Sequence, residues 1–410
     1  MDSQGIGRRV AYWRERRRMT QVDFGALMGQ SRRWVQDLEG GQRQRDPRLS
    51  VLESAARVLQ IPLELLLADG PAARCVDGVE LAAIRAALQR HDVITGTDDD
   101  ESTDPLPIET LARRVVHGRT AFQAGHFASL GRLVPALLID TNRAAARYTG
   151  DEQLAAFRLL SLTLGLTESA ATKFGDVDLA LVSAHRAVAA GERSEDPVVM
   201  ASAARQMADA MTHHGQAEAA AAFAVAVAAR LEPDLLARGP DGLSVLGMLY
   251  LKAAMAQARA ADTEPEINSA AGVADLIDEA DVHAAQVGDG NHMWTAFGPT
   301  NVAVHRVAAH VQLCEGAEAI DVAADIPNAA RDALPRERRA HHLVDLARAL
   351  TQAGRRPEAV EMILEAEAQA KEEVRCRPRT RALVEDLRLL GAGEAEGRLR
   401  ALADRCGLPG

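Results

Sequence analysis

In QSRRWVQDLEGG, residues 30–41, two arginines stand side by side at the start of a short amphipathic segment. A guanidinium carries five N–H donors in a planar fork and keeps its charge at any ordinary pH. The chemistry of Arg32 and Arg33 is therefore recognition of anions and paired acceptors, not bond making. One turn further on, Gln36 adds a group that donates and accepts, and Asp37 adds acceptors only. A second gathering lies in HMWTAFGPTNVAVHRVA, residues 292–308. There Trp294, Phe297, Thr300, Asn301 and His305 put aromatic surface and hydrogen-bonding groups together in an Ala-rich region. Two readings fit this segment. Either the five residues line a ligand pocket, or Trp294 and Phe297 fill a gap in the core while Pro299 starts a helix and Thr300 or Asn301 caps it.

Bond-making chemistry is scarce. His213-His214 and His341-His342 are adjacent pairs, and neighbouring helix positions do not face one ligand. His305 and His310, five apart, also miss a common face. There is no HExxH, no nucleophile elbow, no G-x-x-x-x-G-K-[ST] and no GxGxxG. Neither an enzyme, a metal nor a cofactor is expected. Cys75, Cys314, Cys376 and Cys406 are widely separated with no CxxC pair, which reads as isolated thiols. No run of apolar residues is long enough to span a membrane, and MDSQGIGRRV lacks a signal core, so a soluble cytoplasmic protein is expected.

The 410 residues call for more than one domain, and a chain 47% apolar but 3% aromatic, rich in Ala and Leu, favours helix packed on helix. Charge separates along it. Residues 1–70 hold 12 arginines and 9 acids, whereas the remainder holds 35 basic and 49 acidic groups. A basic head on an acidic body suits a polyanion partner held at one end. Within the head, Ile6, Val10 and Trp13 recur at helical spacing, with Arg8, Arg9, Arg14 and Arg16 on the other faces. Thr20, answered by Asp23, caps a second helix with Val22, Phe24, Leu27 and Met28 as its apolar face, closed by Gly29. Ser31 caps a third helix burying Trp34, Val35 and Leu38. Leu49 to Leu59 forms a fourth through Leu49, Leu52, Ala56 and Leu59, and LELLL after Pro62 forms a fifth turn.

Residues 71–107 read as a connecting helix near Val79–Arg90 and an acidic linker, TGTDDDESTDPLP. From 108 to 410 Ala/Leu helices follow in pairs, broken at 125–127, 174–178, 213–216, 287–292 and 352–357. GDVDLALVSAHRAVAAG (175–191), GQAEAAAAFAVAVAAR (215–230) and GRRPEAVEMILEAEAQA (354–370) share one plan: glycine, polar step, alanine-studded helix. Stacked pairs of this kind bury a continuous core. The pattern resembles tetratricopeptide repeats, although the family's tryptophan in helix A is missing and the spacing exceeds the family's period of about 34 residues.

TQVDFGALMGQSRRWVQDLEGG, with PRLSVLESAARVLQIPLELLL after it, resembles the helix-turn-helix of the XRE (Cro/phage-repressor-like) family over about residues 5–68. The matching features are Gln21 after Thr20, Ala26, Gly29 in the turn, Ser31, Val35, Leu38 and Glu39-Gly40. The resemblance implies an all-α fold: a five-helix lambda-repressor-like DNA-binding domain at 1–70, then a tetratricopeptide-like α-solenoid at 108–410 for ligand binding and dimerisation. The whole resembles actinobacterial regulators of this architecture, in which FGPTN segments recur. It implies base contacts from Arg32, Arg33, Gln36 and Asp37, and phosphate contacts from Gln21 and Ser31. Arg43 and Arg45, just past the third helix, are phosphate clamps or merely solvated charge. Asp37 either accepts from a cytosine N4 or pairs with Arg33.

The expected function is sequence-specific transcriptional regulation by a homodimer on a pseudo-palindromic double-stranded DNA operator, with half-sites roughly 10 bp apart or one turn further. The repeats would take a peptide, small-molecule or protein ligand. The alternative is a scaffold whose repeats bind a partner protein and whose head has little DNA affinity.

Overall fold

The computed structural model describes residues 3–16, 19–40, 47–59, 61, 63, 66, 77–91, 104–263 and 269–408. All regular structure among them is helical. The chain divides into two compact units, Met1–Cys75 with Ala403–Gly410, and Val76–Leu402.

The small unit holds α1 (Ser3–Arg16), α2 (Gln21–Leu27), α3 (Arg32–Glu39) and α4 (Leu49–Leu59). Its core is Val10, Phe24, Val35, Leu38, Ala55, Ala56, Leu59 and Leu66. The chain packs tightly there, since a Cβ on Gly7 of α1 would lie 2.3 Å from the Leu38 carbonyl at the end of α3. Three apolar positions differ from the periodicity argument: Val22, Leu27 and Leu49 are more than half exposed. Helices α2 and α3 are short, so one or two buried residues each anchor them, and the outer edge of the apolar stripe stays in water. The opposite surprise concerns Arg9 and Arg14, which are buried. Arg9 Nε donates to the Leu66 carbonyl at 2.7 Å, and Arg14 pairs with Glu39 at 2.6 Å.

The large unit opens with α5 (Asp77–Leu88), whose Ile84, Ala87 and Leu88 join the core formed with the next helices. The segment read as a connector thus contributes a packed helix, while residues 95–103 of the acidic stretch lie outside the described residues. Six hairpins follow: α6/α7 (Ile108–Gln123, Phe127–Arg147), α8/α9 (Gly150–Phe174, Val177–Arg193), α10/α11 (Pro197–His213, Ala217–Leu236), α12/α13 (Gly239–Thr263, Ser269–Val287), α14/α15 (Pro299–Gln312, Gly316–Ala324) and α17/α18 (Arg336–Gln352, Arg356–Gln369). A short α16 (Asn328–Ala333) precedes the last of these, and α19 (Lys371–Arg375), α20 (Pro378–Leu390) and α21 (Glu396–Arg405) follow it.

Five of the hairpins turn the same way, and the reason is local. A residue with positive φ ends the first helix, at Gly125, Gly175, Gly215, Cys314 and Gly354. The next amide then bonds back to the carbonyl five residues earlier, at 2.8–3.0 Å, as in Asp176 to Ala171 and Arg355 to Leu350. This is the Schellman closure, which satisfies otherwise orphaned carbonyls and favours glycine because a Cβ is strained there. Cys314 takes that conformation without glycine's freedom.

Each first helix touches both its own partner and the first helix of the next hairpin, so α6, α8, α10, α12, α14 and α17 form an inner layer. Small residues permit the approach: a Cβ on Gly165 would lie 1.8 Å from Gln206 Oε1, and one on Gly247 would lie 2.0 Å from the Phe297 ring. The series then closes on itself, because α17 meets α6. Gln123 at the end of α6 and Asn291, between α13 and α14, exchange two amide hydrogen bonds of 2.9 Å, and across the seam the Ala128 amide donates to Glu372 at 2.7 Å. No helix of the described residues is long and apolar enough to cross a membrane.

Candidate nucleic-acid interface and interior cavity

On the small unit, α2 starts in a full capping box: Thr20 Oγ1 accepts from the Asp23 amide at 3.2 Å, and Asp23 accepts from the Thr20 amide at 3.1 Å. The hydrogen bonds from Thr20 hold the Asp23 carboxyl below the usual carboxylate range. Gly29 (φ +65°) makes the turn, with the Gln30 amide bonded back to Gly25 at 2.8 Å. Ser31 then caps α3 by accepting from the Trp34 amide at 3.2 Å. Val35 and Leu38 face the core, which leaves Arg32, Arg33 and Gln36 exposed and Asp37 half-buried. The four expected base-contacting residues therefore share one short helix, three of them exposed.

The expected phosphate contacts are placed differently. Ser31 is exposed while serving as the cap. The Gln21 amide nitrogen donates to Glu39 at 2.8 Å. Arg43 and Arg45 lie outside the described residues. Glu39 is the residue that sequence reasoning undervalued. It takes a two-pronged contact from Arg14 at 2.6 and 3.1 Å and the bond from Gln21, which ties α1, α2 and α3 together at one carboxylate. The signal was the excess of arginine in α1, but periodicity gives no partner for a residue 25 positions away.

In the large unit, the 292–308 segment is strained and well anchored. Met293, Trp294 and Ala296 all have positive φ. Gly298 is required by contact, since a Cβ there would lie 2.6 Å from both the Asp289 Cα and the Gly288 carbonyl. Asp289 caps α14, accepting from the Thr300 amide at 3.0 Å and its hydroxyl at 2.7 Å. Phe297 is fully buried against Gly247. Asn301, also fully buried, donates to the Thr295 carbonyl at 3.3 Å. His305 Nδ1 lies 2.8 Å from the Asn301 carbonyl, and burial pushes its pKa down to about 3. Of the five residues proposed for a pocket, Phe297, Thr300, Asn301 and His305 thus pack or cap, and Trp294 lines a cavity with Arg119, Arg205 and Arg338. Strained backbone of this kind persists only where surrounding structure over-determines it.

That cavity, about 60 Å³, sits at the seam between the first and last hairpins. Arg119 and Gln123 come from α6, Arg205 from α10, Trp294–Ala296 from the strained segment, and Glu337 and Arg338 from the start of α17. The Arg119 guanidinium lies 5.9 Å from the centre of the Trp294 ring, within cation–π range.

Charge is abundant around it and mostly settled. Lys173 pairs with Glu337 and, at 2.7 Å, with Glu373, which also takes Arg377 at 2.7 Å. Burial opposes charge on Glu337, yet Lys173 beside it, with Arg338, holds its carboxyl down at about 2. Lys252 pairs with Asp209. Burial, and after it the neighbouring Asp209, pushes Glu168 up to about 7. Glu337, His341 and Glu373 are spaced like metal donors, but the Lys173 ammonium already bridges the two carboxylates and supplies the positive charge an ion would bring.

No family model matches the chain, and no curated protein matches it. Among solved structures, the crystal structure of Bacillus thuringiensis PlcR in complex with the peptide PapR7 and DNA aligns over 89% of this chain and 99% of that one. The identity is 12% and the TM-score 0.37, a likeness too loose to carry an argument about this chain.

Proposed function

We propose that the protein is a sequence-specific DNA-binding transcriptional regulator, acting as a homodimer, whose repeat unit receives a signal. The observation that carries this reading is α3: a capped helix anchored by Val35 and Leu38 that presents Arg32, Arg33 and Gln36 to solvent on one small basic unit. A helix of this size fits the major groove, where a guanidinium can donate twice to guanine O6 and N7 and a carboxamide pairs with adenine. Asp37, half-buried, serves better as a brace for its neighbours or as an acceptor from cytosine than as a phosphate contact. The acidic repeat unit repels the duplex, which restricts binding to the head and makes it salt-dependent.

The test is capture of fragments from the organism's own genome by the full-length protein at about 0.15 M salt, alongside an Arg32→Ala/Arg33→Ala variant. The expected result is enrichment of a shared inverted repeat that the variant loses. Affinity should fall with salt by a log–log slope of about −0.9 per phosphate contacted. Equal recovery of every fragment by both proteins, or none by either, would overturn the reading in favour of a scaffold that binds a protein partner.

A further inference from the structure

The positive charges at the seam cavity do not all find partners. Lys173, Glu337, Glu373 and Arg377 balance one another, and Lys252 is matched by Asp209. Arg119, Arg205 and Arg338 remain, all three lining the cavity; among the described residues none of them makes a close ion pair, and the acids they sense, Glu168, Asp209 and Glu337, act on them at longer range. Arg119 is only 6% exposed, its terminal nitrogen donates to the Leu162 carbonyl at 2.9 Å, and its Nε has no acceptor. The Nε of Arg205 is likewise buried without one.

Buried guanidinium without a counter-charge is unfavourable, and an anion arriving from outside relieves it. The two groups feel each other: burial, and then Arg205, draws Arg119 down to about 9. Glu168, the acid that both sense, is raised to about 7 by burial and Asp209, so it carries only part of a negative charge at pH 7. Three arginines lining one opening suit the oxygens of a carboxylate or phosphate, which accept paired N–H donors. A volume of about 60 Å³ fits such a head group but is well below the roughly 300–1,000 Å³ of a site enclosing a whole drug-sized ligand. The remainder of the ligand would lie against Trp294, whose ring flanks Arg119.

We propose that this cavity binds the anionic head, carboxylate or phosphate, of a small ligand through Arg119, Arg205 and Arg338, with Trp294 against its apolar part. An anion held there bridges α6, α10 and α17, and so ties the first hairpin to the last. This deepens the sensing role proposed above, yet the site stands on the geometry of the repeat unit alone, and its test uses no DNA.

The test is tryptophan fluorescence of the full-length protein, titrated separately with inorganic phosphate and acetate while chloride keeps ionic strength constant. A saturable change is expected for at least one probe, and the probe that produces it assigns the head-group class. The change should vanish in Trp294→Phe. It should move to at least about tenfold higher concentration in Arg205→Gln/Arg338→Gln, as expected for lost hydrogen bonds to a charged group. Arg119 is left intact because its bond to Leu162 also holds α6 to α8. A wild-type response no different from that to chloride overturns the proposal, whatever the variants do. So does a double variant, folded by circular dichroism, that titrates like wild type. If that variant retains DNA while losing the anion response, the DNA-binding reading stands apart from this one.

Discussion

The two units treat arginine in opposite ways. In the small unit the buried Arg14 is matched by the Glu39 carboxylate, while the exposed arginines, Arg32 and Arg33, face solvent from α3. In the large unit the buried Arg119 donates to the Leu162 carbonyl and, among the described residues, makes no ion pair, and Arg205 and Arg338 line the same cavity. A matched buried charge is part of the architecture. An exposed charge is available to a polyanion at little energetic consequence. A buried charge without an acid is the arrangement that calls for something from outside.

The sharpest way to break that comparison is to remove a match. Glu39→Ala takes from the buried Arg14 its two-pronged contact with the Glu39 carboxylate and also frees Gln21, so it should destabilise the small unit by about 3–5 kcal/mol. Arg32→Ala/Arg33→Ala should change stability by no more than about 0.5 kcal/mol while removing DNA binding. Chemical denaturation of both variants checks this pair of outcomes. Comparable losses in the two would mean that α3 is built like α1 and that its arginines are structural.

A smaller effect tests the interior. Glu168 has its pKa raised from an ordinary 4.5 to about 7, so the folded state holds a proton that the unfolded chain has released. Stability attributable to it is therefore present at low pH and is lost as pH rises through that interval. Glu168→Gln removes the titration. The variant should gain up to about 3 kcal/mol on wild type between acidic and mildly alkaline solution, measured by urea unfolding at several pH values. A difference independent of pH would show that Glu168 is as well matched as Glu39. A small gain is expected at Cys314, which holds the left-handed position that glycine holds in four other hairpins. Cys314→Gly should raise stability by about 0.5–1 kcal/mol, with relief of strain partly offset by the more flexible unfolded chain. A loss would mean that the cysteine side chain contributes contacts of its own.

Local chemistry was legible to the extent that its causes are local. Thr20, Gly29 and Ser31 cap and turn where their types require, and Gly125, Gly175, Gly215 and Gly354 stand at the helix ends that their neighbours indicate. Periodicity erred at the margins, where Val22, Leu27 and Leu49 are apolar but solvated. It also misassigned Arg9 and Arg14, since a burial stripe records hydrophobicity and not the presence of a distant acceptor. The composition of 292–308 marked a segment whose residues divide between packing, capping and the cavity wall.

By itself the amino-acid order determined the helical class, the basic head with its capped α3, and the hairpin breaks, because capping, turn strain and helical periodicity act over a few residues. Only the tertiary structure decided which arginines are matched, which of the aromatic and polar residues near Trp294 reach a cavity, and that α17 meets α6. Those outcomes depend on partners far apart in the chain, as Lys173 and Glu373 show at a separation of 200 residues. Nothing in the local chemistry of either residue names the other; the closure of the inner layer does.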